Sequence, residues 1–430
     1  MTGLPAPGAL AYLNEELDRM LAVADAERAA DYPGPAPGRQ PVHTAYIPAH
    51  AFDAGTVARW GAQAIAALEE FAPTPADLAG ATGLPADVAG PVHQLVLDKL
   101  TAQPVEDVRI DFEDGYGTRA DDVEDAHARA AARALTGVLG QDSAPAFCGL
   151  RCKSLEPATR RRAVRTLEMF VTSLLEAGRP LPPGLVITLP KVTSAAQVAA
   201  MDVLCLRLEE ACGLAYPRRL SFEIQVEMPQ AICDRDGAAT IARCVHAASD
   251  RLIGLHYGTY DYSAALDIAA AHQSLEHPAA DYAKAVMQVA AAGTGVRLCD
   301  GSVGVLPTGR RDDVIAAWRL HARLVTRSLE RGFYQGWDLH PAQLVSRYAA
   351  TYGFFRQGLP AAAERLRAYG TRSAAGQEEP ATARALGGFL SRGLDCGAFT
   401  GTELEVRTGL SGDQLRAARR SGAVPDRDES

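Results

Sequence analysis

The stretch Ser221-Phe-Glu-Ile-Gln-Val-Glu227 predicts a β-strand that ends in a carboxylate. Its apolar side chains alternate with Glu223, Gln225 and Glu227, and this period of two residues places apolar and polar groups on opposite faces. The surrounding sequence alternates between strand and helix patterns, which is typical of a parallel sheet covered by helices on its apolar face. The polar face would then point into a shared interior, where a carboxylate needs a partner such as a metal ion or a substrate.

Strand patterns recur along the chain, and each is followed by a helix pattern. The eight predicted strands are His43–Pro48, Val108–Glu113, Ala146–Arg151, Leu185–Pro190, Leu220–Glu227, Leu252–Tyr257, Val296–Cys299 and Gln335–His340. Eight such strand–helix units within roughly 310 residues are what a (β/α)8 TIM barrel requires. We therefore predict an α/β fold of this type.

Segments outside the eight units divide the chain further. We predict an N-terminal helix and linker over residues 1–42, a catalytic barrel over 43–355, and a C-terminal helical cap or oligomerisation segment over 356–430. The tail pattern suggests helices at 361–370, 380–392 and 401–421. Residues 72–92, rich in Pro, Gly and Ala, are interpreted as an insertion with one short helix.

Composition excludes several classes of protein. The chain of 430 residues has a net charge of −9 and no basic stripe, which argues against nucleic-acid binding. No apolar run reaches the roughly 18 residues needed to span a bilayer, and no secretory signal is visible. The eight cysteines form no Cys-x-x-Cys pair, so we expect buried free thiols in a cytoplasmic protein.

Charged residues gather at the predicted carboxyl ends of the strands, where barrel enzymes place their active sites. They are Asp111, Glu113, Asp114, Arg151, Lys153, Lys191, Glu227, Asp261 and His340. Carboxylates outnumber the basic groups among them. A divalent cation would balance the excess negative charge.

Glu227 and Asp261 are the predicted metal ligands. They are separated by about one strand–helix unit and should therefore lie on adjacent strand ends. Two carboxylates, completed by waters and a chelating substrate, are a usual way to hold Mg²⁺, with Mn²⁺ as the alternative ion. A single shared ion requires the two carboxyl groups to lie within about 8 Å of each other. Arg151 would join the ion in stabilising the negative oxygen of an enolate.

Each of these residues also has a purely structural interpretation. Glu227 could form an ion pair with Arg151 or Lys191, Asp261 could cap a short helix, and Arg151 could be a scaffold ion pair. We favour metal ligation for the two acids. For Arg151 we favour a bidentate fork that grips a substrate carboxylate.

For the remaining candidates two roles stay open. Glu113 and Asp114 could orient metal-bound waters or shuttle a proton. Lys191 is a structural partner of Glu113 or a catalytic contact to the substrate. Gly258 and Thr259 are expected to approach the substrate, whereas His340 either binds it or fixes the barrel through hydrogen bonds.

Taken in order, these segments resemble the HpcH/HpaI aldolase and citrate lyase β-subunit superfamily over residues 43–345. The matching segments are Tyr46-Ile-Pro48-Ala, Asp111-Phe-Glu-Asp114, Arg151, Leu189-Pro-Lys191, Glu227, Gly258 with Asp261, and Gly336 followed by His340-Pro-x-Gln343. The resemblance implies a Mg²⁺-binding barrel in which Glu227 and Asp261 ligate the metal and Arg151 holds substrate oxygens. It also implies assembly as a homo-oligomer.

Two departures qualify the resemblance. The third strand of the superfamily usually reads Arg-x-Asn, whereas this chain has Arg151-Cys-Lys153, so the neighbour of the arginine must act differently. Asp114 stands where the pyruvate aldolases carry a histidine, which places the chain nearer the citrate-lyase-like branch. The chain also resembles an uncharacterised longer branch that is sometimes labelled as phosphoenolpyruvate-handling.

The resemblance implies a Mg²⁺-dependent carbon–carbon lyase or aldolase acting through an enolate. Its partner would be a small-molecule substrate, either a carboxylate (a 2-oxo acid or hydroxy acid) or a CoA thioester. One alternative is a phosphotransfer enzyme that handles phosphoenolpyruvate on the same barrel. Another is a barrel subunit without catalysis, against which the intact set of Arg151, Glu227 and Asp261 argues.

Overall fold

Eight parallel strands form the centre of the molecule. The computed structural model describes residues 12–176, 180–214, 219–248, 250–373 and 380–422. Its strands are β1 (His43–Pro48), β2 (Asp107–Asp111), β3 (Phe147–Arg151), β4 (Leu185–Leu189), β5 (Ser221–Val226), β6 (Leu252–Tyr257), β7 (Arg297–Cys299) and β8 (Gly336–Asp338). Each predicted strand is present, and the predicted (β/α)8 TIM barrel is confirmed.

The strands pair in the spatial order β7-β6-β5-β4-β3-β2-β1-β8. The ring closes between β7 and β8 through a bridge from Ser302 to Trp337 and a hydrogen bond of 2.8 Å from Asp300 N to the Gln335 carbonyl. Closure removes the exposed strand edges that an open sheet would present to other chains. It also brings all eight carboxyl ends to one rim.

Helices surround this ring and continue beyond it. They are α1 (Tyr12–Asp31), α2 (Thr56–Phe71), α3 (Pro75–Thr82), α4 (Ala86–Ala102), α5 (Asp121–Val138), α6 (Arg160–Glu176), α7 (Ala195–Ala211), α8 (Pro229–Ile232), α9 (Thr240–Val245), α10 (Thr259–Ala265), α11 (Pro278–Ala291), α12 (Arg311–Glu330), α13 (Gln343–Ser373), α14 (Pro380–Asp395), α15 (Gly401–Thr408) and α16 (Gly412–Ser421). No helix among the described ranges is long and apolar enough to cross a membrane.

Inside the barrel, a buried polar network lies below the rim. Arg109 Nη2 donates to Asp107 at 2.8 Å and to Glu223 at 3.3 Å, and the Glu223 carboxylate also pairs with His256 Nε2 at 2.9 Å. All four side chains are buried. Buried charges persist only when they are paired and hydrogen-bonded. This network therefore assigns Glu223 and His256 to holding the barrel interior together.

The segment 72–92 contains all of α3 and the start of α4, so the prediction of one short helix there was wrong. Thr74 forms a capping box with Asp77, which starts α3, and Gly83 ends it in the left-handed conformation at φ 80°. Pro85 then stands at the N-cap of α4 instead of breaking a helix. Proline is compatible with helix starts because the first helical amides have no intrahelical partner.

The C-terminal region also differs from its predicted helices. Helix α13 runs through Pro360 without a break and so replaces the separate helix predicted at 361–370. Its buried face, which includes Phe355, Leu359 and Leu366, continues across the proline and compensates for the lost amide. The helix predicted at 401–421 is two helices, because Gly409 is left-handed at φ 75° and ends α15.

The helices after α13 lie at the amino end of the barrel. Arg392 and Asp395 of α14 and Arg419 of α16 line a cavity together with Val42 and Tyr334, which come just before β1 and β8. The C-terminal helices therefore lie opposite the rim that carries the strand carboxyl ends. Residues 1–11 and 423–430 fall outside the described ranges, and the division of the chain at residues 42 and 355 stays a prediction.

The eight cysteines are free thiols, as expected from their spacing. Six are buried, Cys212 is partly buried and Cys233 is exposed, so the expectation that they are buried was wrong for Cys233. Burial raises the pKa of the Cys148 and Cys152 thiols to about 12. Such thiols stay protonated and behave as small apolar side chains.

Candidate active site

Three carboxylates meet at the carboxyl rim of the barrel. Asp114, Glu227 and Asp261 each offer an oxygen, and these oxygens all lie within 4.8 Å of one another. Asp114 follows β2, Glu227 directly follows β5, and Asp261 lies in the first turn of α10 after β6. The carboxyl groups of Glu227 and Asp261 are therefore closer than the limit of about 8 Å for a shared ion. Asp114 is a third acid beside them.

Glu227 is the buried member of this acid cluster, at 1 % exposure. Its Oε1 accepts a hydrogen bond of 2.8 Å from the Lys191 backbone amide. Burial raises the pKa of Glu227 to about 7, against the opposing attraction of Lys191 and Arg151. The fold thus holds a carboxylate where its charge is poorly solvated, an arrangement that favours a cation.

Lys191 lies among the carboxylates. Its Nζ is 2.6 Å from Asp261, 3.3 Å from Asp114, and 3.8 Å from both Glu113 and Glu227. Burial alone would lower the pKa of the Lys191 ammonium group, but the surrounding acids outweigh this effect and raise its pKa. The Lys191 backbone adopts φ 54°, a left-handed conformation that costs a non-glycine residue roughly 1–2 kcal/mol. Strained residues of this kind cluster at functional sites.

Arg151 is held by Asp111 through two charge-assisted hydrogen bonds. Its Nε lies 2.6 Å from Asp111 Oδ1 and its Nη2 lies 2.7 Å from Asp111 Oδ2. The bidentate fork predicted for a substrate carboxylate is therefore occupied by the protein itself. The remaining nitrogen, Nη1, lies 3.4 Å from Glu113 and from Gln225 and 3.5 Å from Asp114. Since Asp111 does not hold it, Nη1 is the one guanidinium nitrogen that can turn to a single contact with a ligand.

Glu113 and Asp114 adjoin Arg151 on the loop after β2. Burial raises the pKa of Glu113 to about 8, although Arg151 opposes the shift. For Asp114, burial is outweighed by a hydrogen bond with Glu113 and by the attraction of Arg151 and Lys191, so its pKa is lowered. Adjacent carboxyl groups with shifts in opposite directions are suited to different roles.

The acid cluster opens into a cavity of about 500 Å³. Its lining includes Tyr46, Arg151, Gly258, Thr259 and Trp337, beside the three acids. The Arg151 guanidinium lies 5.0 Å from the centre of the Tyr46 ring. Negative charge exceeds positive charge here, because Asp111, Glu113 and the three cluster acids face only Arg151 and Lys191 in the described part of the chain. Oxygen ligands with an excess of negative charge fit a hard divalent cation such as Mg²⁺.

Some predicted residues lie elsewhere. His340 is absent from the cavity lining, and its Nδ1 accepts a hydrogen bond of 3.2 Å from the Ala342 amide in its own turn. Lys153 donates to the backbone carbonyls of Phe112 and Gly117 and faces Glu124 at 3.4 Å, so it does not join the acid cluster. Thr259 is at the cavity, and its hydroxyl donates to the Ser302 carbonyl at 3.2 Å.

Sequence reasoning did not assign roles to Gln225 and Trp337. Gln225 Oε1 accepts from Arg151 Nη1, while its Nε2 and the indole nitrogen of Trp337 have no hydrogen-bond partner within the described ranges. The signal for Gln225 is its parity in β5, since it alternates with buried apolar residues and shares a face with Glu223 and Glu227. Buried donors without partners cost free energy unless a ligand satisfies them.

Comparison with known proteins agrees with this architecture. Over 265 residues the chain is 26 % identical to the L-malyl-CoA/beta-methylmalyl-CoA lyase of Cereibacter sphaeroides, a match that covers 58 % of this chain and 73 % of that protein. A citrate lyase from Burkholderia xenovorans LB400 has a similar solved structure, with a TM-score of 0.56 and 20 % identity over 87 % of this chain and 97 % of that one. The resemblance to the HpcH/HpaI aldolase and citrate lyase β-subunit superfamily is confirmed.

A family model spans nearly the whole chain. The model described as domain of unknown function DUF6986 matches residues 21–422, a range that contains the barrel and the helices that follow it. The chain belongs to the DUF6986 family.

Proposed function

We propose that the protein is a Mg²⁺-dependent carbon–carbon lyase that works through an enolate. Its substrate would be a small 2-oxo acid, a hydroxy acid or an acyl-CoA. The observation that carries this proposal is the convergence of Asp114, Glu227 and Asp261 within 4.8 Å beside Nη1 of Arg151. The similarity to a malyl-CoA lyase supports the same class of reaction.

Each residue has a distinct task in this proposal. Asp114, Glu227 and Asp261 would hold the cation. When bound, that cation supplies positive charge for an enolate oxygen. Arg151 Nη1 would donate one hydrogen bond to the same oxygen, and Asp111 fixes the direction of that nitrogen through its two bonds to the guanidinium.

The cavity walls also fit a small carboxylic substrate. Tyr46 and Trp337 pack with ring centres 4.5 Å apart and ring planes tilted by 30°, and they give the cavity an aromatic side. The indole N–H of Trp337 has no partner in the described part of the protein and could donate to a substrate oxygen. Lys191 keeps the acid cluster together and its backbone amide orients Glu227.

A test of enolate formation does not require the natural substrate. We expect metal-dependent decarboxylation of oxaloacetate and metal-dependent exchange of the pyruvate α-protons, because both pass through an enolate. Protein stripped with EDTA should lose both activities, and added Mg²⁺ or Mn²⁺ should restore them. Activity that persists in the stripped protein would contradict the proposal, as would its absence at every metal concentration.

Substitution of Gly258 with alanine tests the geometry around Glu227. An added Cβ would lie 2.4 Å from Glu227 Cβ and 2.7 Å from Glu227 Oε2, so the carboxylate must move. A displacement of about 1 Å in a catalytic group costs roughly 100-fold in rate. We expect a loss of this size in the oxaloacetate assay, together with weaker Mg²⁺ binding in calorimetry.

Gly90→Ala is the matched control for this substitution. Gly90 lies within α4, and an added Cβ there meets no atom within 4 Å. Its activity should equal that of the wild type, and its stability should be equal or slightly higher because alanine favours a helix. Equal activity in Gly258→Ala and Gly90→Ala would show that the close approach to Glu227 has no catalytic importance.

A further inference from the structure

A second charged cavity lies at the amino end of the barrel, opposite the rim that carries the acid cluster. Three arginines from separate elements line it: Arg297 from β7, Arg392 from α14 and Arg419 from α16. We call it the arginine cavity. Tyr334 and Phe355 form its aromatic side. It therefore lies between the barrel and the C-terminal helices.

None of the three guanidinium groups forms an ion pair with a carboxylate within the residues that the structure describes. Asp395, the acid in the lining, attracts all three at longer range. Arg297 Nη2 donates to the Pro37 carbonyl at 2.9 Å, and Arg392 Nη1 donates to the Gly388 carbonyl at 3.2 Å. Elsewhere in the molecule, the deeply buried Arg109, Arg151, Arg251 and Arg347 all pair with carboxylates.

The carboxylate at this cavity already has a partner. Asp395 Oδ1 accepts from Arg416 Nη2 at 2.7 Å, and this bond raises the pKa of Arg416. Positive charge at the arginine cavity is consequently in excess, although the whole chain carries a net charge of −9.

The arginines repel one another across the cavity. Burial lowers the pKa of Arg419 to about 10, and the charges of Arg392 and Arg297 contribute to that shift. Burial also lowers the pKa of Arg297 and of Arg392. An added Cβ at Gly388 would lie 3.1 Å from Arg392 Nη1 and 3.8 Å from Arg419 Cγ, so these two side chains approach the same point of α14. Like charges gathered in a partly desolvated site favour a bound anion.

We propose that the arginine cavity binds one monoatomic anion of about the size of chloride. Guanidinium groups suit an anion because they stay charged and offer several N–H donors. The cavity volume of about 20 Å³ admits a group of roughly the size of one water molecule and excludes a large organic anion. A bound anion would join the barrel to α14 and α16.

Thermal unfolding of the full chain in different sodium salts tests this proposal. At constant ionic strength, we expect chloride to raise the melting temperature by about 3 °C over gluconate and phosphate, whose anions are too large for the cavity. The rise should saturate with a dissociation constant in the millimolar range or lower. A saturating rise with phosphate and none with chloride would contradict the proposal. Equal melting temperatures in all three salts would overturn the proposal.

Arg419→Gln distinguishes an anion site from a structural arginine. This variant removes one of three mutually repelling charges, so in gluconate its melting temperature should equal or exceed that of the wild type. The rise in chloride should disappear. If Arg419→Gln lowers the melting temperature in every salt and keeps the anion-dependent rise, the arginine is structural and the proposal fails.

Arg420→Gln is the matched control, because it makes the same change in charge one residue further along α16. Arg420 is exposed and does not line the arginine cavity. The full anion-dependent rise should remain in this variant. Loss of the rise in both variants would show a general effect of net charge and would also overturn the proposal. Because the readout is stability, its outcome is separate from that of the enolate assays.

Discussion

Glu227→Gln should abolish metal-dependent enolate formation, with a loss of at least about 1,000-fold, while the protein keeps or gains stability. Loss of a group that only supports a ligand already weakens metal binding about 10- to 100-fold, so loss of a ligand should cost more. The stability should not fall because glutamine can still accept the Lys191 amide hydrogen bond, which is 2.8 Å long in the wild type. The substitution also removes a carboxylate from a site with 1 % exposure, where charge is costly.

Three measurements check this expectation: oxaloacetate decarboxylation, Mg²⁺ calorimetry and thermal unfolding. Glu276→Gln is a suitable control, because Glu276 forms an exposed ion pair with Arg323 at 2.6 Å. That variant should keep full activity, and its loss of stability should stay below about 1 kcal/mol. If Glu227→Gln instead unfolds at a lower temperature and keeps its activity, Glu227 is a structural partner of Lys191, and the proposed metal site is wrong.

Asp338→Asn should destabilise the protein by about 3–5 kcal/mol, because it removes the charge that balances a buried arginine. Asp338 is fully buried at the end of β8. It accepts bonds of 2.9 Å from Arg347 Nη2 and 2.8 Å from His43 Nδ1, and it lies 3.3 Å from His321 Nε2. These bonds join β1, β8, α12 and α13. A fall of at least about 5 °C in the melting temperature is expected.

The pH dependence of this loss follows from the direction of the pKa shift. Burial alone would raise the pKa of Asp338, but Arg347, His321 and His43 outweigh it and hold the pKa well below 3.8. A carboxyl group whose pKa is depressed by folding contributes stability above its unfolded pKa and loses it as the pH falls. The difference between wild type and Asp338→Asn should therefore be full above about pH 4 and shrink below it.

Asp250→Asn makes the same chemical change at the surface. Asp250 pairs with Arg219 at 2.7 Å, and its side chain is 72 % exposed. An ion pair of this kind contributes at most about 1 kcal/mol, so Asp250→Asn should unfold close to the wild-type temperature. A similarly small effect for Asp338→Asn would mean that Arg347 finds another partner or that water enters the interior beside β8.

The barrel could be predicted from the sequence because its signals are local. Period-two patterns mark the strands and Pro or Gly mark their ends, so the order of the eight units gives the fold. The same order places Glu227 and Asp261 on neighbouring strand ends. Their actual separation depends on the tilt and closure of the sheet, which a single sequence does not encode directly.

The ion pair between Arg151 and Asp111 could not be predicted from the sequence, because it depends on how two strands are aligned. Asp111 and Arg151 are directly opposite each other in the pairing of β2 with β3, and register between parallel strands is set by tertiary packing. Asp111 therefore looked like one more acid of the rim. The continuous α13 was missed because Pro360 reads as a helix breaker, whereas the buried face of the helix outweighs one lost hydrogen bond.

The position of the C-terminal helices has a practical consequence for handling the protein. Helices α14 and α16 meet the barrel next to Val42, Arg297 and Tyr334, on the side opposite the rim that carries Glu227. An affinity tag, a fluorescent label or a solid support attached beyond α16 would leave the approach to the 500 Å³ cavity open. Immobilised preparations coupled in this orientation should show the same metal-dependent oxaloacetate decarboxylation as the free protein.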